Sequence, residues 1–210
     1  MTLEEQMRVR FERETAEHQL TVLHDDGVYR HLRFRRGESS FYWFDIVTWP
    51  GCLSVGGDVD TYVFARAKDM FGWFESSAGG GINPHYWAQK LVAPRGTDGA
   101  RSYSHDSLRA CVHDWARSHA DEADMPMYHD VLIDALEREV LYDEWETTWT
   151  EQEGRERLEI LETEIRAAGG YLETWEWDLR EYDWSFLWCC WAIVWGIGQY
   201  RAATREAVAA

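Results

Sequence analysis

The 210-residue chain carries none of the short signatures that mark common phosphate-handling or acyl-transfer enzymes. It has no G-x-x-x-x-G-K-[ST] loop and no G-x-S-x-G elbow, and Gly79-Gly80-Gly81 lacks the lysine of a strand-to-helix phosphate cradle, which argues against nucleotide hydrolysis and acyl transfer by those routes. Its four cysteines, Cys52, Cys111, Cys189 and Cys190, lack zinc spacing, and the adjacent pair is poorly placed for an ordinary disulfide, so reduced thiols in a core are expected. No two of His105, His113 and His119 are four residues apart, so no structural metal is expected, and nothing calls for a cofactor. The start, Met1-Thr2-Leu3-Glu4-Glu5, has no basic region followed by an apolar run, and the longest apolar run, Phe186 to Ile197, is too short for a bilayer of roughly 30 Å. The expectation is an intracellular, cytoplasmic protein without a membrane segment. Internal repeats and low-complexity tracts are also absent.

Positive charge is missing from one long stretch. Asp121 to Asp183 holds 21 Asp/Glu against 5 Lys/Arg, which is nearly all of the chain's formal net charge of −17. Such asymmetry bears on partners and solubility rather than on fold. An acidic surface repels nucleic acid, so direct nucleic-acid binding by this half is not expected, and it attracts basic proteins. Disorder is excluded by what is plentiful: 13 Trp, 10 Tyr and 8 Phe in a chain that is 45% hydrophobic. That is ample for one domain with a sheet-containing half over 24–93 and a helical, acidic half over 101–203.

Hydrophobic periodicity gives the fold class. Thr2 with Glu5 is a capping-box signal for a helix over Glu4 to Leu23, with Met7, Phe11 and Val22 among its few apolar positions. Tyr29 to Arg35 alternates with a period of two, placing Leu32 and Phe34 inward and Arg33 and Arg35 outward. Strands are also expected at Phe41 to Trp49, Leu53 to Val55 and Thr61 to Ala65, separated by turns at Gly37-Glu38-Ser39-Ser40, Pro50-Gly51 and Gly56-Gly57-Asp58. Short helices follow at Asp69 to Glu75 and from Asn83-Pro84, then longer ones from Ser104 to about His119, from Pro126 to about Trp145, from Glu151 to Ala168 before Gly169-Gly170, and from Trp184 to Ala203. The prediction is an α+β protein: an antiparallel meander of three to four strands packed against several helices.

Two constellations carry functional readings. On the helix near 127–145, Val131, Ala135, Leu136 and Val140 take core spacing while Asp130, Asp134, Glu137 and Glu144 share another stripe, and the next helix adds Glu156, Glu159, Glu162 and Glu164 opposite Leu158, Leu161 and Ile165. Carboxylates four residues apart stand about 6 Å apart along a helix, comparable to successive phosphates on one strand. A solvated face accounts for most charge runs. Here, though, like charges at i, i+4 cost about 0.2–0.5 kcal/mol per pair with few cations between them. The second constellation is His31, Arg33, Asp45, Asp58 and Tyr86 beside the sheet. Asp45, Asp58, Asp60 and Asp69 with His31 or His85 are ingredients of metal-assisted phosphodiester hydrolysis, although turns and caps use Asp in the same places. Arg30, Arg33 and Arg35 form a basic stripe which, with Trp43, Trp49, Tyr62, Tyr86 and Trp87, would suit a phosphorylated ligand.

The blocks His24-Asp25-Asp26-Gly27-Val28-Tyr29-Arg30-His31-Leu32-Arg33-Phe34, Thr48-Trp49-Pro50-Gly51, Asp69-Met70-Phe71, Ile82-Asn83-Pro84-His85-Tyr86-Trp87-Ala88-Gln89-Lys90 and Trp188-Cys189-Cys190-Trp191-Ala192-Ile193-Val194-Trp195-Gly196-Ile197 with Gln199-Tyr200 resemble, in order, a family of uncharacterised bacteriophage and prophage proteins. The resemblance covers 24–91 and 186–200 and implies a phage-encoded accessory protein, with no activity to carry over. Phage context and acidity together lead to one expectation: a non-enzymatic counter-defence inhibitor whose acidic, DNA-mimic-like helices, through Asp130, Asp134, Glu137, Glu144, Glu156, Glu159 and Glu162, occupy a basic, nucleic-acid-binding host protein. The alternative is a nucleotide-binding protein or metal-assisted phosphodiesterase using His31, Arg33, Asp45, Asp58 and Tyr86. A homo-oligomer is compatible with either reading.

Overall fold

Alternation of large apolar and polar residues runs through four successive segments and builds the middle of one antiparallel sheet. In the computed structural model, which describes residues 1–94, 96–119, 150–167 and 169–209, the strands are β1 Gln19–Asp26, β2 Tyr29–Arg35, β3 Phe44–Trp49, β4 Cys52–Gly57, β5 Thr61–Ala65 and β6 Leu91–Ala93, each paired with its neighbours in chain order. The α-helices are α1 Leu3–Thr15, α2 Met70–Ser77, α3 Pro84–Ala88, α4 His105–His119, α5 Glu151–Ala167 and α6 Trp184–Ala209. The fold is α+β, with six strands in the main sheet where the periodicity predicts three or four.

The two additional strands lie at the edges. Residues 19–23, expected to continue the first helix, instead pair with β2, with Leu20 opposite Phe34 and Val22 opposite Leu32. The helix stops at Thr15 because the β2 edge offers a full ladder of backbone partners to an otherwise polar segment, and tertiary pairing overrides a weak helical pattern. At the other edge, β6 is only three residues long and adds to β5 with Val63 opposite Ala93 and Phe64 opposite Leu91. No pattern is readable over so short a run.

The chain forms two compact units: Met1–Arg101 with Tyr182–Ala210, and Ser102–Glu181. In the first, Leu32, Phe34, Phe44, Ile46, Leu53, Val55, Tyr62 and Phe64 project from one sheet face into a core shared with α1, α2, α3 and α6. The polar α1 is anchored by Phe11, whose ring meets Trp188 edge-on at 5.1 Å, and by Glu14, which accepts a hydrogen bond from Trp188 Nε1 at 2.9 Å. The last helix, α6, lies so close to the sheet that a Cβ on Gly196 would come within 2.6 Å of Ile46 Cδ1 and 3.1 Å of the Phe34 ring. It therefore belongs with the sheet, not with α4 and α5. Among the described residues, no helix is long and apolar enough to cross a membrane.

The second unit has a smaller, mostly aliphatic core. Leu108 and Val112 of α4 meet Leu158, Leu161 and Ile165 of α5, with Leu172 and Leu179 from the segment that follows. Ser104 caps α4 through the Ser107 N–H, and α5 ends at Gly169, where φ is 88° and Gly170 N–H returns to the Ile165 carbonyl. Two short strands, β7 Arg101–Tyr103 and β8 Arg180–Tyr182, pair where the chain leaves the first unit and returns to it.

Candidate functional site

Strand pairing brings part of the sheet constellation together. Arg33 lies directly opposite Asp45 across β2 and β3. Its guanidinium donates from Nε to Oδ1 at 2.9 Å and from Nη2 to Oδ2 at 2.8 Å, while His31 Nε2 donates to Oδ2 at 2.7 Å. Burial by itself would raise the Asp45 carboxyl, but the Arg33 and His31 hydrogen bonds outweigh it and hold the group below its ordinary value. Both Asp45 oxygens are thus engaged, which leaves this carboxylate poorly disposed to act as a base or metal ligand.

The other members go elsewhere. Asp58 accepts from the backbone N–H of Tyr42 at 2.8 Å and so holds a non-glycine residue with φ of 56° at the mouth of the β2–β3 connection. Next to it, a Cβ on Gly57 would fall 2.1 Å from the Trp43 carbonyl oxygen, so only glycine fits. Tyr86 belongs to the helical side, packed on Trp73 with Lys90 over its ring. Arg30 is also on that side, apart from Arg33 and Arg35: it donates to both oxygens of Asp69 at 3.0 and 3.3 Å and stacks on Phe71. Asp69 in turn caps α2, and Asp60 accepts from Tyr62 and Ser185. Turn, cap and packing roles thus take up all four aspartates. What remains on the outer sheet face is a shallow cleft of about 200 Å³ lined by Arg33, Arg35, Glu38, Ser39, Ser40 and Trp43. Both of its arginines are already paired, with Asp45 and Glu38.

In the second unit, exposed carboxylates outnumber exposed cations on α5 and the segment after it, with Arg157 and Arg166 exposed among them. The inner stripe of α5 is Gly154, Leu158, Leu161 and Ile165, while Glu153, Glu156 and Glu159 are exposed. Arg155 turns inward: its Nη1 and Nη2 donate to the carbonyls of Thr174 and Trp177, both at 3.2 Å, and it lies 3.8 Å from Glu151. Arg180 also closes on Glu151, at 2.8 Å. Glu162, expected on the partner face, accepts instead from Thr174 N–H at 2.8 Å and Thr174 Oγ1 at 2.6 Å. It is a staple for the following segment, because a partly buried carboxylate beside unpaired donors bonds them in preference to remaining free. Asp130, Asp134, Glu137 and Glu144 lie outside the described residues.

The segment after α5, Tyr171-Leu172-Glu173-Thr174-Trp175-Glu176-Trp177-Asp178, is the feature that residue-by-residue sequence reasoning missed. Leu172, Thr174 and Leu179 are buried, whereas Tyr171 is 68% and Trp175 70% exposed. The alternation of acid and ring in these residues is a readable signal, but its inward and outward sides are set by Arg155 and Glu162. Among the described residues no group of three or more His, Cys, Asp or Glu is placed to hold a metal ion. Comparison with protein-family models, curated proteins and solved structures finds no match.

Proposed function

We propose that the protein is a non-enzymatic binding protein whose acidic helical unit engages a cationic, nucleic-acid-binding protein. The observation that carries this reading is the excess of exposed carboxylates on α5 and its following segment: Glu153, Glu156, Glu159, Glu173, Glu176 and Asp178 are exposed against Arg157 and Arg166, while Arg155 and Arg180 are drawn onto Glu151 and backbone carbonyls. A face with an excess of carboxylates gains more from an external cation than a balanced one, and the resulting association is fast and steeply salt-dependent. Asp130, Asp134, Glu137 and Glu144 extend the same acidic sequence. The resemblance to phage and prophage proteins supplies the setting, a host defence complex occluded without chemistry.

The competing reading, a phosphorylated-ligand or phosphodiesterase site beside the sheet, is weakened by the engagement of Asp45, Asp58, Asp60 and Asp69 in structural bonds. The test is capture of basic proteins from host lysate at low salt, with displacement by double-stranded DNA, using the parent protein and a variant with Asp130, Asp134, Glu137, Glu144, Glu156 and Glu159 changed to their amides. Capture that DNA displaces and the variant loses is the expected outcome; an unchanged captured set in the variant overturns the proposal.

A further inference from the structure

A tryptophan exposed over most of its surface is common enough on a loose chain, but Trp175 stands on one of the most firmly tied irregular segments of the protein. Thr174, its neighbour, has its N–H and hydroxyl on Glu162 and its carbonyl on Arg155, and that carbonyl also accepts from Trp177 N–H at 3.1 Å. Three residues on, the Trp177 carbonyl takes the other arm of Arg155, and Leu179 is fixed through its carbonyl to Ser104 N–H at 2.8 Å. Leu172 and Leu179 are sunk in the core on either side. Tyr171 is likewise outside, its hydroxyl donating to Glu173.

The segment therefore displays two large rings from a backbone with little freedom left to lose. Binding surfaces draw much of their affinity from such rigid aromatic anchors, because ordering them on association forfeits little entropy. The chemistry around the rings selects the partner. Glu173 and Glu176 are exposed on the same segment, and Glu156 and Glu159 are exposed on α5, to which it is tied. An electron-rich ring with carboxylates beside it favours a flat, weakly hydrated cation, and guanidinium meets that description better than ammonium.

We propose that Tyr171 to Asp178 is a pre-formed docking surface that receives an arginine side chain of a cationic protein partner on the Trp175 ring, flanked by Glu173 and Glu176. This rests on the reading of the acidic unit as a cation-binding face and names the contact that gives it affinity. Anionic lipid is disfavoured by the same carboxylates.

The experiment is fluorescence anisotropy with labelled arginine-rich and lysine-rich peptides of equal length, titrated with the full-length protein over a range of salt. Trp175→Ala is expected to weaken the arginine-rich peptide about fivefold to tenfold, in line with a partly desolvated cation–π contact, to weaken the lysine-rich peptide less, and to leave the salt slope unchanged. Trp175→Phe restores part of the loss. The exposure of the ring makes a folding defect unexpected, and circular dichroism of each variant checks this. Equal affinity of parent and Trp175→Ala, with binding still lost on changing Glu156 and Glu159 to Gln, overturns the aromatic contact alone. Failure of the parent to bind either peptide overturns the cation-binding reading beneath it. Cosedimentation with phosphatidylcholine vesicles that depends on Trp175 would replace the arginine partner with a membrane surface.

Discussion

The two units differ in how many of their carboxylates are drawn into the architecture. In the sheet-bearing unit acidic groups are drawn into the architecture: Asp45 joins two strands through Arg33, Asp69 caps a helix while holding Arg30, Glu14 receives the Trp188 indole, and Asp25 receives the Tyr200 hydroxyl at 2.8 Å. In the Ser102–Glu181 unit Arg155 and Arg180 are drawn in, Glu151 and Glu162 take structural bonds, and Glu156, Glu159, Glu173 and Glu176 are left exposed with Arg157 and Arg166. The sheet unit is held by rings, with Phe11, Phe34, Phe44, Trp188 and Trp195 in mutual contact, and several of its charges lock strands and helix ends. The other unit has, among the described residues, a compact aliphatic core. The difference teaches that the same residue type, an aspartate or glutamate, is drawn into the architecture or left at the surface according to which donors surround it.

Core substitutions give the largest effects and sharpen the contrast in construction. Trp188→Ala removes a ring packed on Phe11 and Phe44 and takes the indole donor from Glu14 Oε2, leaving Arg10 on Oε1; a loss of about 3–5 kcal/mol is expected from chemical denaturation. Leu161→Ala in the aliphatic core is expected to lose about 2–5 kcal/mol. Hydrogen exchange followed by region in each variant shows whether the destabilisation stays within the unit that carries the substitution; a uniform response throughout would break the division into units.

An intermediate effect separates the structural carboxylates from the surface ones by pH. The Asp45 carboxyl is held below its ordinary value of 3.8 in the folded chain, so on acidification the unfolded chain takes up the extra proton first. Its stabilising contribution is complete above that ordinary value and disappears as pH falls through the lower, folded one. Asp69 behaves in the same sense: burial raises it, and Arg30 more than offsets the rise. Asp45→Asn is therefore expected to reduce stability at neutral pH and to differ less from the parent in strong acid. Urea midpoints for both proteins at several pH values measure this, and a difference independent of pH contradicts it.

The smallest effect is expected on the acidic face. Glu156→Gln with Glu159→Gln should leave stability within about 0.5 kcal/mol of the parent, since surface changes away from caps and cores rarely exceed that. If thermal denaturation instead reveals a large loss, these side chains are structural after all and the contrast between the units fails.

Several elements were legible because their signals are local. Tyr29 to Arg35 declares a half-buried strand by alternation, Thr2 and Glu5 form the capping box they spell, Pro84 starts a helix behind Asn83, and Gly169 ends α5 with a positive φ. Residues 19–26 were not legible as a strand, because both faces of β1 are largely exposed and only pairing with β2 gives the segment a reason to extend. The sheet constellation was half legible. Arg33 and Asp45 are joined by register, a property of two strands at once, and Tyr86 was separated from them by the choice of face. For Glu162 the helical position predicted an outward carboxylate, but the donors of Thr174 twelve residues away redirected it.

By itself, then, the sequence determined the class of the fold, the strand faces, most helix limits and the place where negative charge accumulates, since each depends on residues close together along the chain. Only the tertiary structure decided that the last helix covers the sheet, that four aspartates serve turns, caps and strand locks, and that Arg155 and Glu162 fix a segment carrying Trp175 outward. Those outcomes depend on which donors and acceptors meet across long stretches of chain, and a hydrogen bond is formed by groups that are near in space, however far apart they stand in sequence.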